Sequence, residues 1–260
     1  MGAERGIWDE RGRLAKWPSK HPLRQEELRA LGTKFEFGRF YTEKEVNALL
    51  TEWHTFGDYF LLRRELVEHA SLLRLRNGSR YWRGDFFRET KLPGFSLRGV
   101  LPEDAEAVWS IDEACAEYAA YSGRPALREE ARAVAEAAAL PPGGFPEFFH
   151  AKLLLPEGGR EPAGYFAYYL GYPGGRDVFL ASLFLRPEAR RKGFGAALVS
   201  AFAAQAARAG ARTLHVGVMT ENAPGIAFWN AQGFSATGKI SPFADTGKQA
   251  ERYCRELTPS

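Results

Sequence analysis

The stretch LFLRPEARRKGFGAALV, Leu183 to Val199, decides the reading of this chain. An apolar strand-like run ends at Leu185, and a basic loop with two glycines follows. From Gly195 to Ala209 the residues recur at helical spacing, with Leu198, Phe202 and Ala206 on one face and Gly210 as the stop. A helix that opens behind such a loop suits a bound pyrophosphate. Its first backbone N–H groups lack intrahelical partners, and the aligned peptide dipoles add roughly half a positive charge there. Gly193 and Gly195 let the backbone come close to a ligand. Arg190, Arg191 and Lys192 add positive charge, although flanking side chains of this kind also serve as a solvated surface.

On the N-terminal side of this stretch lie three strand-like runs separated by Pro and Gly: FFHAKLLL from Phe148, AGYFAYYLGY from Ala163 and DVFLASLFL from Asp177. Their spacing predicts consecutive antiparallel strands. Further upstream, Phe95 to Val100 reads as a strand, and Pro102 to Tyr118 and Leu127 to Ala139 read as helices. Downstream come the strand LHVGVM, a short helix near Phe228 and two final strands.

The first third has a different texture. Thr42 and Glu45 have capping-box spacing, and Val46, Leu49, Leu50 and Trp53 follow at i, i+3, i+4, i+7. Asp58 is placed to cap a second helix through His69. Leu73 and Leu75 then alternate with Arg74 and Arg76 up to Asn77-Gly78, a tight-hairpin signal, with Tyr81 to Arg83 as the returning strand. Helix, turn, helix and basic hairpin is the order of a winged-helix module. The segment GDFFRETKLPGF, Gly84 to Phe95, mixes charge, Pro and Gly and reads as the linker. The expected organisation is an N-terminal domain over 1–84, a linker over 85–94 and a second domain over 95–260.

A chain of 260 residues is comfortable for two domains. No apolar run reaches the roughly 18 residues of a membrane helix, and the charged start MGAERGIWDERGR has no apolar signal region behind it, so the cytoplasm is the expected location and no membrane partner is expected. Cys115 and Cys254 lie far apart without metal-ligand partners, so neither a metal site nor a disulfide scaffold is expected. The residues up to Phe95 hold 18 Lys and Arg against 14 Asp and Glu, and the remainder 17 against 18. The basic front end is compatible with DNA through Arg63, Arg64, Arg74, Arg76 and Arg80, and equally with a solvated face of an interaction domain. No residue pattern sets the oligomeric state.

Arg190-x-x-Gly193-x-Gly195 between a strand and a helix, with Asn222 heading NAPGIAFWNAQGF 27 residues beyond Gly195, resembles the Gcn5-related N-acetyltransferase superfamily over about Ser96 to Leu257. The first third, in KFEFGRFYTEKEVNALL, DYFLLRRELVE and NGSRYW, is similar to a small domain of unknown function, about residues 15–84, that often accompanies bacterial winged-helix transcription regulators. Together they imply an α+β chain, with a mixed, mostly antiparallel acetyltransferase sheet flanked by helices and preceded by a small winged-helix-like domain. The resemblance also implies acetyl-CoA as co-substrate. The backbone of Leu183, Phe184 and Leu185 would pair with its pantetheine arm where the fourth and fifth strands splay apart. Arg190, Arg191, Lys192, Gly193, Phe194, Gly195 and Ala196 would cradle the pyrophosphate, Asn222 would hold the pantetheine from the other side, and Phe228 and Trp229 would line the thioester end.

The departures bear on mechanism. Relatives of the polyamine type often carry a Glu-Asp pair where this chain has Ala181-Ser182, and a tyrosine that protonates the thiolate where it has Trp229. A thiol of pKa about 8.5 leaves well enough unaided, but an alkylamine of pKa about 10.4 costs about 4.6 kcal/mol to deprotonate at pH 7. The acceptor amine therefore has a lowered pKa or meets a base from elsewhere. His215 in LHVGVM is the candidate, the alternative being a satisfied polar group within a sheet. The expected function is transfer of an acetyl group from acetyl-CoA to a small-molecule amine by direct attack in a ternary complex. Two other readings stay open: a DNA-binding regulator whose acetyltransferase-like domain senses an acyl-CoA or ligand, and a protein lysine or N-terminal acetyltransferase.

Overall fold

Thr42 and Glu45 cap a helix reciprocally: the Glu45 N–H donates to Thr42 Oγ1 at 3.2 Å, and the Thr42 N–H donates to Glu45 Oε2 at 2.7 Å. In the computed structural model of the chain, which describes residues 6–88 and 90–258, this helix is α2 (Glu43–Glu52). It follows α1 (His21–Gly32) and the two-residue strand β1 (Phe40–Tyr41). Asp58 Oδ1 accepts from Leu61 N at 2.9 Å and starts α3 (Tyr59–Glu68). The hairpin β2 (Leu72–Arg74) and β3 (Tyr81–Arg83) then completes a three-stranded sheet in the order β1-β3-β2. Leu28, Leu31, Phe35, Val46, Leu50, Leu62, Leu66 and Tyr81 are buried together as its core. Asn77-Gly78 does not form a two-residue turn. Gly78, at φ +70°, donates to Leu75 O, Leu75 N donates to Arg80 O, and Asn77 Oδ1 caps Ser79 N, so a four-residue loop joins the strands.

These elements lie in the first of two units, Met1–Phe86 and Phe87–Ser260. The second is built on an eight-stranded sheet of β4 (Thr90–Leu92), β5 (Phe95–Gly99), β6 (Phe149–Pro156), β7 (Gly164–Leu170), β8 (Asp177–Leu185), β9 (Thr213–Met219), β10 (Ser235–Phe243) and β11 (Lys248–Glu256). The order is β10-β11-β9-β8-β7-β6-β5-β4, and every neighbouring pair is antiparallel except β8–β9, which is parallel. The stretch read as a linker thus contributes a strand. Pro93 and Gly94, the latter at φ +81°, turn β4 back onto β5 with Leu92 opposite Phe95. Phe87, fully buried, packs 4.9 Å from Phe202 in the core of this unit.

Helices cover both faces of the sheet. α4 (Ala105–Ala114), α5 (Ala119–Ser122) and α6 (Arg128–Ala135) lie on one side, where Tyr165 of β7 donates to Asp112 of α4 and Phe184 of β8 meets Tyr118. On the other side α7 (Phe194–Arg208) packs Phe202 against Phe166 and Tyr168. Consecutive residues Tyr165 and Phe166 face opposite layers, as strand alternation requires. α8 (Ala223–Ala231) follows β9.

Candidate active site

β8 and β9 pair only from Asp177–Thr213 to Leu180–Val216; beyond that they diverge. The cause lies on the other edge of β8. The β7–β8 register jumps from Ala167–Ser182 to Tyr168–Leu180, so Ala181 is an extra residue and a β-bulge bends the strand away. The β9-facing backbone edge of Leu183, Phe184 and Leu185 is left without a strand partner. Gly164 is the residue that lets β7 follow this bend, since a Cβ there would stand 2.2 Å from Phe184 O.

The loop after β8 is tied from inside. Arg190 donates from Nε to Leu185 O at 2.9 Å and from Nη2 to Cys115 Sγ at 3.2 Å, and pairs through Nη1 with Glu117 at 2.6 Å. Its guanidinium is a strut between the loop and the α4–α5 segment, which leaves Arg191 and Lys192 as the exposed cations of the loop. Arg191 (φ +58°) and Gly193 (φ +82°) both take left-handed backbone. The first intrahelical bond claimed after the loop is Ala197 N to Gly193 O, so the N–H groups of Phe194, Gly195 and Ala196 have no carbonyl within the helix. A Cβ at Gly193 would meet nothing within 4 Å, whereas one at Gly195 would meet the Phe228 ring at 3.2 Å and Leu185 at 3.6 Å. Leu185, Gly195 and Phe228 therefore converge at the mouth of the splay. Asn222 caps α8, its Oδ1 accepting from Gly225 N at 2.9 Å, and the cap does not use its amide nitrogen. Trp229 is buried against Phe234 and is packed as core.

The helix-covered face of the sheet beside the splay carries a cavity of about 370 Å³, whose lining includes Tyr169, Tyr172, Phe179, Ala181, Gly217 and Arg252. His215 does not line it. It stands opposite Phe179 on β9, one side-chain step behind Gly217, where a Cβ would lie 3.8 Å from the Phe179 ring. Neither ring nitrogen of His215 has a hydrogen-bond partner, and Asp177 Oδ2 is 3.7 Å from Nε2. Burial lowers its pKa, with Arg252 and Lys239 acting in the same direction and Asp177 opposing. Nearer the loop the same face half-buries an acid that no motif announced. Asp112 accepts from Tyr165 Oη at 2.8 Å, and Ser182, on the bulge, hydrogen-bonds the same tyrosine. Desolvation raises Asp112 to about 6. The sequence held one clue: Asp112 adjoins the buried positions Val108, Ile111 and Cys115.

Residues 107–234 match the model of the Acetyltransferase (GNAT) family, and residues 13–83 that of a family described as an uncharacterized protein conserved in bacteria (DUF2087). The C-terminal unit is a GNAT domain. An acetyltransferase from Thermus thermophilus is 27% identical, at a TM-score of 0.52 over 65% of this chain and 100% of its own. A Salmonella typhimurium acetyl transferase that modifies the N-terminal serine of ribosomal protein L7/L12 shares the fold at 16% identity, with a TM-score of 0.50 over 64% of this chain and 96% of its own. No curated protein matches. GNAT acetyltransferases use acetyl-CoA. Among the described residues no group of three or more His, Cys, Asp or Glu is placed to hold a metal ion, and no helix is long and apolar enough to cross a membrane.

Proposed function

We propose that this GNAT domain transfers the acetyl group of acetyl-CoA to the amine of a small molecule. The observation that carries the reading is the splay: an unpaired strand edge at Leu183–Leu185 runs on one side to the open helix start at Gly193 and opens on the other beside a cavity of about 370 Å³. The fit to acetyl-CoA is steric as well as electrostatic. Gly193 leaves open space in front of the N–H groups of Phe194, Gly195 and Ala196, with Arg191 and Lys192 as counter-charge. Leu183, Phe184 and Leu185 would pair with the pantetheine, Asn222 would donate from across the splay, and Phe228 would close the mouth. Acetyl-CoA supplies an activated thioester.

The amine attacks the thioester carbonyl, the C–N bond forms as C–S breaks, and coenzyme A leaves as a thiolate that takes up the proton the amine loses. Orientation in one cleft contributes much of the rate, and strand N–H groups on β8 steady the developing oxyanion without a titratable side chain. The face offers two proton acceptors. His215 is held neutral by burial, and Asp112 communicates with the bulge through Tyr165 and Ser182. The cavity lies within the lower part of the usual range for small-ligand sites, which favours a small acceptor over a protein tail. The test is acetyl-CoA turnover, read as free thiol, against amino acids, polyamines, aminoglycosides and peptides. Silence across the panel despite coenzyme binding would refute the reading.

For the N-terminal unit a second reading is favoured by its element order and by the β1-β3-β2 sheet: a nucleic-acid reader that presents Arg74, Arg76 and Arg80 on its hairpin. Arg63 pairs with Glu43 at 2.7 Å and Arg64 lies near Glu65 and Glu68, so the second helix offers little free charge. Binding to duplex DNA that weakens steeply with salt would support this, and no binding at low salt would exclude it.

A further inference from the structure

Two cations stand in the wall of the acceptor cavity and outnumber its one acid, Glu251. Arg252 and Lys239 both line it, and among the described residues neither has a carboxylate within 4 Å. Arg252 is half-buried between aromatic rings, its guanidinium carbon 5.5 Å from the Tyr172 centroid and 5.9 Å from that of Phe179, and its Nη2 donates to Tyr172 Oη at 3.4 Å. The guanidinium is oriented but not neutralised. Glu251, the acid of this wall, accepts from the backbone N–H of Gly238 at 3.1 Å.

We infer that the acceptor is an amine that also carries a carboxylate, a molecule of the amino-acid class, bound with its carboxylate between Arg252 and Lys239 and its side chain against Tyr172 and Phe179. The inference rests on the acetyl-transfer reading and names its substrate class. A half-buried guanidinium with no carboxylate within 4 Å is an unpaired charge, and a planar carboxylate matches its paired N–H donors. Polyamines, which bring only positive charge, meet repulsion in the same place. Ala181, at the bulge, also lines the cavity, so a ligand anchored at Arg252 extends its amine toward the splay.

The test uses the full chain with saturating acetyl-CoA and matched trios: a free amino acid, its carboxamide and its decarboxylated amine. Over apolar and aromatic side chains, kcat/KM for the acid is expected to exceed that of the carboxamide by about 100-fold, the scale of a lost charged hydrogen-bonding partner. Arg252→Gln should bring the ratio to within about threefold, Arg252→Lys should retain most of it, and Lys239→Gln should reduce it about fivefold, for an exposed cation. Thermal melts of the three variants check that β11 is intact. Carboxamides or plain amines turned over as well as acids, or a ratio that Arg252→Gln leaves unchanged, would overturn the substrate class while leaving acetyl transfer standing. No turnover of any amine, with acetyl-CoA binding seen by calorimetry, would overturn acetyl transfer and this inference with it.

Discussion

The start of α7 and the cavity proposed for the acceptor flank one splay, yet they are made differently. The first is a single run of seven residues, Arg190–Ala196, whose open groups at the helix start are backbone N–H. The second is assembled from residues on six segments: 139–141 after α6, β7, the loop holding Tyr172, β8, β9 and the β10–β11 hairpin. Backbone recognition needs a local conformation, so it leaves a local signature of glycines and spacing. Side-chain recognition needs only that distant residues arrive together, so a GNAT domain can change its acceptor while the coenzyme site stays recognisable.

The largest expected effect separates the two. Gly193→Trp places a ring in the space before the helix start, at a left-handed φ that glycine alone adopts at no cost. Coenzyme affinity by calorimetry should fall about 1000-fold, the scale of losing several charge-assisted hydrogen bonds. Unaltered coenzyme affinity in a folded variant would mean that the pyrophosphate does not lie there.

Next in size is His215→Ala, which probes the acceptor side alone. With its folded pKa below the usual 6.5, the imidazole is neutral at pH 7 and able to take a proton. If it is the base, turnover of the wild type should rise with pH through that lowered value, and the variant should lose that limb and about 100-fold in kcat, a usual scale for general base catalysis. An unchanged profile would make His215 a polar residue of the sheet and leave the proton to the thiolate or to Asp112.

What was legible divides along the same line. The strand–loop–helix at Leu183–Val199, the caps at Thr42 and Asp58 and the order of the strands can be read because each is a local pattern. Phe87 and β4 are hidden in a segment whose Pro and Gly look like a linker, because a Pro-Gly hairpin turn and a linker share composition. Arg190 reads as counter-charge, but its partners Cys115 and Glu117 come from some 75 residues away. The cations of the cavity, Lys239 and Arg252, sit on strands rich in polar residues, and nothing local marks which of them turns inward.

An effect of similar size, on stability, is expected at Asp112. Its folded pKa of about 6 exceeds the unfolded 3.8, so the folded state binds the proton more tightly; stability is highest below the unfolded value and declines as pH rises through the folded one. Asp112→Asn keeps an acceptor for Tyr165 without the half-buried charge. It should stabilise the domain at pH 8 by up to about 3 kcal/mol at the conversion of 1.36 kcal/mol per pKa unit, and by nothing near pH 3. Denaturant midpoints at the two pH values check this. Equal effects at both would show that Asp112 is not desolvated as its contacts imply.

The smallest effect, at Asn222, asks whether one residue serves both kinds of recognition. Its Oδ1 caps α8 at Gly225 N, and only its amide nitrogen remains for the pantetheine. Asn222→Asp retains the cap acceptor, at a helix N-terminus where negative charge is favourable, but removes the donor. Asn222→Ala removes both. Stability should therefore be near wild type in the aspartate variant and lower by about 1 kcal/mol in the alanine variant, while coenzyme affinity falls about fivefold in both, the scale of one neutral hydrogen bond. If the aspartate variant binds coenzyme as well as the wild type, Asn222 acts through helix geometry alone, and the hold on the pantetheine from that side belongs to the backbone it positions.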